Sequence, residues 1–392
     1  MKRAFVEITH NCYSLKTDFD LIRRFLSING WKLVRDIKNA DMVIVNTCAF
    51  MKEREDIAIE LIQKVKKDMN KNAKFIVTGC LSSINKNRLD SVFQGRSISS
   101  KSLYRLDDII NADIKLRDIK FVKPTANNVK RSENDYSYPI ADSSIYRLRI
   151  GWGCNGKCSY CVIRRVFGKP HSRPIAEILE EFKAAVKKGY RKFSFIATEV
   201  GCYGQDLNTD IVELLEVLSG QNGNAKFELS YINPDRLKQI LPRLEKFIRT
   251  KKIWCISVPV QSGSDRILRL MKRSYGIDDF KYSIGRIVSI NPGIRIETDI
   301  IVGFPSETEE DFRKSILLTE WLGKNKIYYQ IFEFDSRPNT EASKLPNQLS
   351  TKEKQERFRR LSLLCKSSYM IFKNKKLFKE LKRKGHIELQ KV

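Results

Sequence analysis

Residues 151–161 read GWGCNGKCSYC, a C-x3-C-x2-C run that offers the thiols of Cys154, Cys158 and Cys161. The run follows a strand candidate, Arg147–Ile150, so the loop sits at a strand's C-terminal mouth. Three thiolates from one short loop can wrap one face of an iron–sulfur cluster. Such clusters normally take four cysteines. A missing fourth ligand leaves one iron open, as a catalytic metal site keeps a position for substrate. Gly151, Gly153 and Gly156 let the backbone bend around it. A zinc knuckle is the alternative, and His171 is the only imidazole near enough in sequence to complete one.

Downstream, strand candidates recur at Phe193–Thr198, Phe227–Ser230, Ile253–Val258, Ile294–Ile301 and Ile327–Phe334. Helical patterns separate them, at 175–188, 210–218, 236–248, 266–271, 278–290 and 309–323. Six β-strands each followed by a helix predict an α/β partial (β/α)6 barrel over residues 145–350, with its chemistry at the C-terminal strand ends. A doubly wound sheet fits the same alternation.

Upstream, residues 1–116 form another α/β series with strands near 5–9, 42–46 and 75–78 and helices over 18–28 and 53–69. Cys12, Cys48 and Cys80 each lie one to three residues past one of these strands. Parallel strand ends share one sheet edge, where ligands bind. Three thiols far apart in sequence can therefore converge in space. Three ordinary buried cysteines are the alternative. Residues 117–144 are polar and turn-rich and read as a linker.

The whole chain has 392 residues, 42% of them hydrophobic, which is enough to fill real cores. No run of about 18 apolar residues predicts a membrane span, and the N-terminus has no secretory h-region. A cytoplasmic location is expected, where cysteines bind metal or react more often than they pair. A net charge of +27 points to a polyanionic partner. Residues 351–392 hold 14 Lys/Arg against 4 Asp/Glu and read as a basic helical tail with no strands, including a helix at 361–372. A solvated helix face is the alternative reading of that charge run.

The cysteine loop resembles the radical S-adenosylmethionine (SAM) superfamily. Paired with an N-terminal three-cysteine α/β domain, it resembles the methylthiotransferases of that superfamily. SRPIAEIL (172–179), PVQSGSDRILRLMKRSY (259–275), TDIIVGFPSETEEDF (298–312) and SRPNTEA (336–342) are similar to that family too. The resemblance implies two 4Fe-4S clusters, one on Cys154, Cys158 and Cys161 and one on Cys12, Cys48 and Cys80. It implies one SAM as radical source and a second as methyl donor. It also implies an electron donor such as flavodoxin or ferredoxin, a sulfur source, and insertion of a methylthio group at an unactivated C–H bond. Tyr160 matches the position that contacts the adenine of SAM. Thr198 and Glu199 match the site for the methionine amino group, or they form a helix cap. Gln261 and Ser262 would reach the ribose or carboxylate. Arg273 would pair with the carboxylate or lie on the surface, and Gly303 would turn near the adenine. Cys202, Cys255 and Cys365 match no cluster position and are expected to be structural.

The chain departs from the family twice. Leu15 stands where an asparagine is usual, and too little chain follows the barrel for the usual RNA-binding TRAM module. The TE-x-G-x-YG stretch (198–204) and MKRSY look like the branch acting on threonylcarbamoyladenosine. The expected substrate is tRNA, at carbon 2 of an N6-modified adenosine beside the anticodon. A protein or peptide side chain is the alternative, ahead of a non-catalytic RNA-binding scaffold.

Overall fold

The computed structural model describes residues 1–10, 12–120, 122, 144–364 and 370–371. Most of the segment read as a linker, Cys365 and the basic run 373–384 lie outside the described residues.

The first sheet holds β1 (Arg3–Ile8), β2 (Lys32–Leu33), β3 (Met42–Thr47), β4 (Lys74–Gly79) and β5 (Arg96–Ile98). They run parallel in the order β2-β1-β3-β4-β5. β3 is buried at every position because both faces of a parallel sheet are covered. Its alternate residues serve two cores. Met42 and Ile44 pack with Phe19, Ile22 and Phe25 of the helix Tyr13–Ile28. Val43 and Val45 pack with Ala58 and Ile62 of the helix Lys52–Asp68. β2 and β5 are too short to show a sequence pattern.

The second sheet runs β14-β13-β12-β11-β10-β9-β6, all parallel. Its strands are β6 (Ile145–Arg149), β9 (Lys192–Ile196), β10 (Lys226–Leu229), β11 (Ile253–Ser257), β12 (Arg295–Val302), β13 (Tyr328–Glu333) and β14 (Met370–Ile371). A separate antiparallel ribbon joins β7 (Gly151–Trp152) to β8 (His171–Ser172). The strand order never reverses, so the switch point of a doubly wound sheet is absent from the described residues. The covering helices share one core with Tyr146, Phe193, Phe227, Ile256, Ile296 and Tyr329 of the strands. The opposite face carries Arg147, Ser194, Glu228 and Glu297. This is an open partial barrel with a polar lumen.

The carboxyl-terminal segment departs from expectation. The helix spans Thr351–Leu364 instead of 361–372, and Met370–Ile371 pairs with β13. The helix is no free tail, since Leu361 joins the barrel core and Arg357 donates to Glu307 (2.5 Å). Its charged composition hides the narrow apolar stripe that seats it.

The lumen is where the two sheets meet. Arg149 of β6 donates to Asp18 (2.7 Å) and to the Ser14 carbonyl (2.9 Å) of the first-domain helix. The Arg147 guanidinium lies 5.4 Å from the centre of the Tyr13 ring. Beyond the cysteine loop, Val162, Val166 and Phe167 enter the first-domain core beside Cys80, Leu81 and Ile84.

Candidate active site

Cys12, Cys48 and Cys80 follow β1, β3 and β4, three neighbouring strands of the first sheet. Each is set by its own strand end. Cys12 caps the helix Tyr13–Ile28. The Cys48 N–H donates to Thr9 Oγ1 (2.8 Å), and the Cys80 N–H to the Thr47 carbonyl (2.8 Å). A Cβ on Gly79 would lie 2.3 Å from that same carbonyl, so only glycine lets β4 close on β3 here. At the position where Leu15 departs from the family, the Leu15 backbone N–H donates to Cys12 Sγ (3.4 Å) while its side chain enters the core.

These three thiols crowd one another. The hydrogen bond from the Cys12 thiol pushes Cys48 down to about 6, and the same contact raises Cys12 well above a normal thiol. Burial raises Cys80. One thiolate forms readily, and its charge holds protons on the other two. A bound cation removes that penalty and deprotonates coordinating thiols outright. The donor set thus fits an iron–sulfur cluster.

The second triad is held by a different device. The β7–β8 ribbon brings the chain back against itself, and the Cys154 N–H donates to the Gly168 carbonyl (3.1 Å). The Gly156 N–H donates to Cys154 Sγ (3.1 Å), and a Cβ on Gly156 would meet the sulfurs of Cys154 and Cys158 at 3.1 and 3.7 Å. Ser159 ties the loop to the barrel by donating from its N–H to Met271 O (3.1 Å) and from Oγ to Leu270 O (2.8 Å). The hydrogen bond from Cys202 lowers Cys154 to about 6. Burial raises Cys158 and pushes Cys161 up to about 11. Again one thiolate stands beside two protonated thiols.

All six cysteines of the two triads line one cavity of about 780 Å³ between the two sheets. Tyr13, Tyr231 and Asp299 also line it. A smaller cavity of about 250 Å³ adjoins it at Gly156, Cys158, Glu199 and Arg273.

The other expected residues divide. Tyr160, Thr198, Glu199, Gln261 and Arg273 line the main cavity. Arg273 is no free surface cation: it donates to Tyr160 Oη (2.7 Å) and to Asn233 Oδ1. Thr198 Oγ1 accepts from the Gly153 N–H (3.1 Å) and so braces the cysteine loop. Burial pushes Glu199 up to about 7. Its carboxylate accepts from the Gly201 and Asn233 N–H groups (2.9 and 3.2 Å), the first of which caps a short helical turn. Ser262 and Gly303 do not reach the cavity. Ser262 is fully buried and its Oγ accepts from the Ser264 N–H (3.1 Å). Gly303 faces Lys354 of the helix Thr351–Leu364, and its N–H donates to Glu307 Oε2 (2.7 Å).

Cys202 was expected to be structural, but it lies at the second triad. Its thiol donates to Glu199 Oε2 (2.6 Å), and the Cys154, Glu199 and Cys202 ligand atoms lie within 4.8 Å of one another. Its position just past the end of β9, inside TE-x-G-x-YG, was the available signal. Cys255 is buried within β11 and does not line the cavity that holds the two triads. No helix among the described residues is long and apolar enough to cross a membrane.

Residues 148–319 match the family described as the Radical SAM superfamily, and residues 4–98 match the one described as Uncharacterized protein family UPF0004. The chain is 30% identical to the threonylcarbamoyladenosine tRNA methylthiotransferase MtaB of Thermotoga maritima, over 97% of this chain and 86% of that one. It is 29% identical to the ribosomal protein uS12 methylthiotransferase RimO of Chlamydia pneumoniae, over 92% and 76% respectively. Its fold resembles the radical SAM methyltransferase TsrM of Kitasatospora setae, with a TM-score of 0.63 at 12% identity, covering 87% and 77% of the two chains.

Proposed function

The chain belongs to the radical SAM methylthiotransferase family, and from that premise we propose that it methylthiolates carbon 2 of an N6-modified adenosine beside a tRNA anticodon. As a member it is an enzyme that uses SAM and 4Fe-4S clusters. The observation that carries the reading is the single cavity lined by both cysteine triads. Cys154, Cys158 and Cys161 would hold the cluster that binds and reductively cleaves SAM. Cys12, Cys48 and Cys80 would hold the cluster on the sulfur side. When bound, these groups supply a carbon radical and a sulfur atom, which together convert an inert C–H bond into C–S.

The chain's own residues then have positional work. A reactive radical must meet its target within contact distance, so the target carbon must enter between the triads. Glu199 would offer its buried carboxylate to the ammonium of SAM, and Tyr160, held by Arg273, lines the same cavity. The buried Arg149–Asp18 ion pair ties β6 to the helix Tyr13–Ile28 and so links the parts of the chain that carry the two sets of thiols. The +27 charge and the excess of Lys and Arg over Asp and Glu around the cavity favour an anionic substrate. The similarity to MtaB, named for threonylcarbamoyladenosine in tRNA, supports the same choice.

The test is direct. Reconstituted holoenzyme is incubated with SAM, sulfide and dithionite, and offered either N6-modified tRNA or a ribosomal peptide. Methylthioadenosine in digested tRNA is expected. A methylthio peptide, with no modified tRNA, would overturn the substrate and leave the reaction class standing.

A further inference from the structure

We propose that Phe50 is a stacking platform for the nucleobase next to the target adenosine, so that the enzyme grips its substrate by a flanking base as well as by the target. The proposal rests on the tRNA reading above. Phe50 is 46% exposed and lines the cavity two residues past Cys48, which is only 3% exposed. Large aromatic side chains left in water forgo burial unless something covers them.

The ring is not exposed through loop slack. Ala49 is fully buried, and its carbonyl accepts from Arg337 Nη2 (3.1 Å). The Lys52 N–H bonds to Asp335, and Arg337 also forms a buried ion pair with Glu55 in the next helix turn. The short segment that carries Phe50 is therefore fastened at both ends.

Its surroundings select the class of partner. Lys157 and Arg164 line the same cavity, are exposed, and form no ion pair among the described residues. An aromatic face with unpaired cations nearby is the combination that holds single-stranded nucleic acid, bases on the ring and phosphates on the cations. Depth selects which base. The target carbon must descend to the level of the buried sulfurs, so the half-exposed ring at the rim meets the nucleotide that precedes or follows the target.

The experiment is a double-mutant cycle on holoenzyme. Wild type and Phe50→Ala bind an anticodon stem-loop carrying the N6-modified adenosine, and two versions abasic at either neighbour of that adenosine. Phe50→Ala should weaken binding of the intact loop about tenfold to a hundredfold. One of the abasic loops should bind wild type just as weakly, and Phe50→Ala should lose nothing further on it. Equal loss on all three RNAs, or no loss on any, overturns the proposal. Phe50→Leu guards against mere loss of apolar cover. It should bind like the alanine variant, and wild-type affinity in Phe50→Leu also overturns the proposal. If wild-type enzyme binds none of the RNAs, the tRNA reading fails and takes this proposal with it. If wild type binds normally and the cycle shows no coupling, only the platform fails.

Discussion

Gly153→Ala isolates what holds the second triad in place. Gly153 sits at φ +81, where a residue with a Cβ pays about 1–2 kcal/mol. The added Cβ would lie 1.9 Å from the Lys169 carbonyl oxygen and 2.8 Å from the Pro170 nitrogen, which are backbone atoms that cannot rotate away. Overpacking of that kind adds about 1–3 kcal/mol. The combined strain of about 2–5 kcal/mol is not enough to unfold a two-domain chain. It is enough to pry apart the β7–β8 ribbon and the Cys154 N–H to Gly168 bond. Reconstituted Gly153→Ala should therefore fold, fall from about eight irons to about four, and lose SAM cleavage. Gly168→Ala is the comparison. Its Cβ meets nothing within 4 Å, so it carries backbone strain alone and should lose less iron. The assays are iron content, EPR of the reduced clusters and 5′-deoxyadenosine formation. Full iron with wild-type cleavage in Gly153→Ala would refute the reasoning that this backbone contact sets the loop.

Replacing Cys154, Cys158 and Cys161 together with alanine should abolish 5′-deoxyadenosine formation, while the same change at Cys12, Cys48 and Cys80 should spare SAM cleavage and end sulfur insertion; unchanged iron in either variant would count against its cluster. Cys202→Ala should slow iodoacetamide labelling of Cys154 in metal-free protein at pH 7 by about tenfold, because a thiol lowered to about 6 by the Cys202 hydrogen bond returns toward its ordinary range; unaltered labelling would show that Cys202 does not set that acidity. Glu228, buried in the lumen, is pushed up to about 7 by burial and then by nearby Glu297. A carboxyl raised above its unfolded value near 4.5 binds its proton more tightly when folded, so its stabilisation is full below about pH 4.5 and lost as pH rises through about 7. Between pH 4.5 and 8, metal-free Glu228→Gln should show a flatter urea-midpoint profile than wild type, by about 3 kcal/mol at most; parallel profiles would remove Glu228 as the cause.

Much of this architecture is legible in the sequence. β3 announced itself as a short apolar run because both its faces are covered, while the barrel strands alternate apolar core residues with polar lumen residues. The strand-end placement of Cys12, Cys48 and Cys80 was readable for the same reason, since a strand's end is a local signal. What lay hidden was long-range or very short. Ser262 looked available because it follows a strand, yet the Ser264 N–H claims its hydroxyl inside the core. Cys202 looked idle because its partners, Glu199 and Cys154, converge only in the fold. The Arg149–Asp18 link spans 131 positions and leaves no local pattern. The two-residue strands β2, β7, β8 and β14 exist only because a neighbour is there to pair with them.

The two triads also differ in how much chain must be in place before they exist. Cys154, Cys158 and Cys161 fall within eight consecutive residues of one loop, which the β7–β8 ribbon and the bonds of Ser159 to Leu270 and Met271 hold against the barrel. Cys12, Cys48 and Cys80 come from three strands and meet only after those strands have paired in register. One triad comes from a single loop, the other from the ends of three paired strands. Damage to the first sheet would therefore scatter Cys12, Cys48 and Cys80, while the loop of the other triad, seated on the barrel, would keep its three thiols together. On the proposed division of labour, a chain misfolded in its first domain alone would keep the radical-generating site with no acceptor opposite it, which makes the integrity of the first sheet a matter of chemical safety as well as of activity.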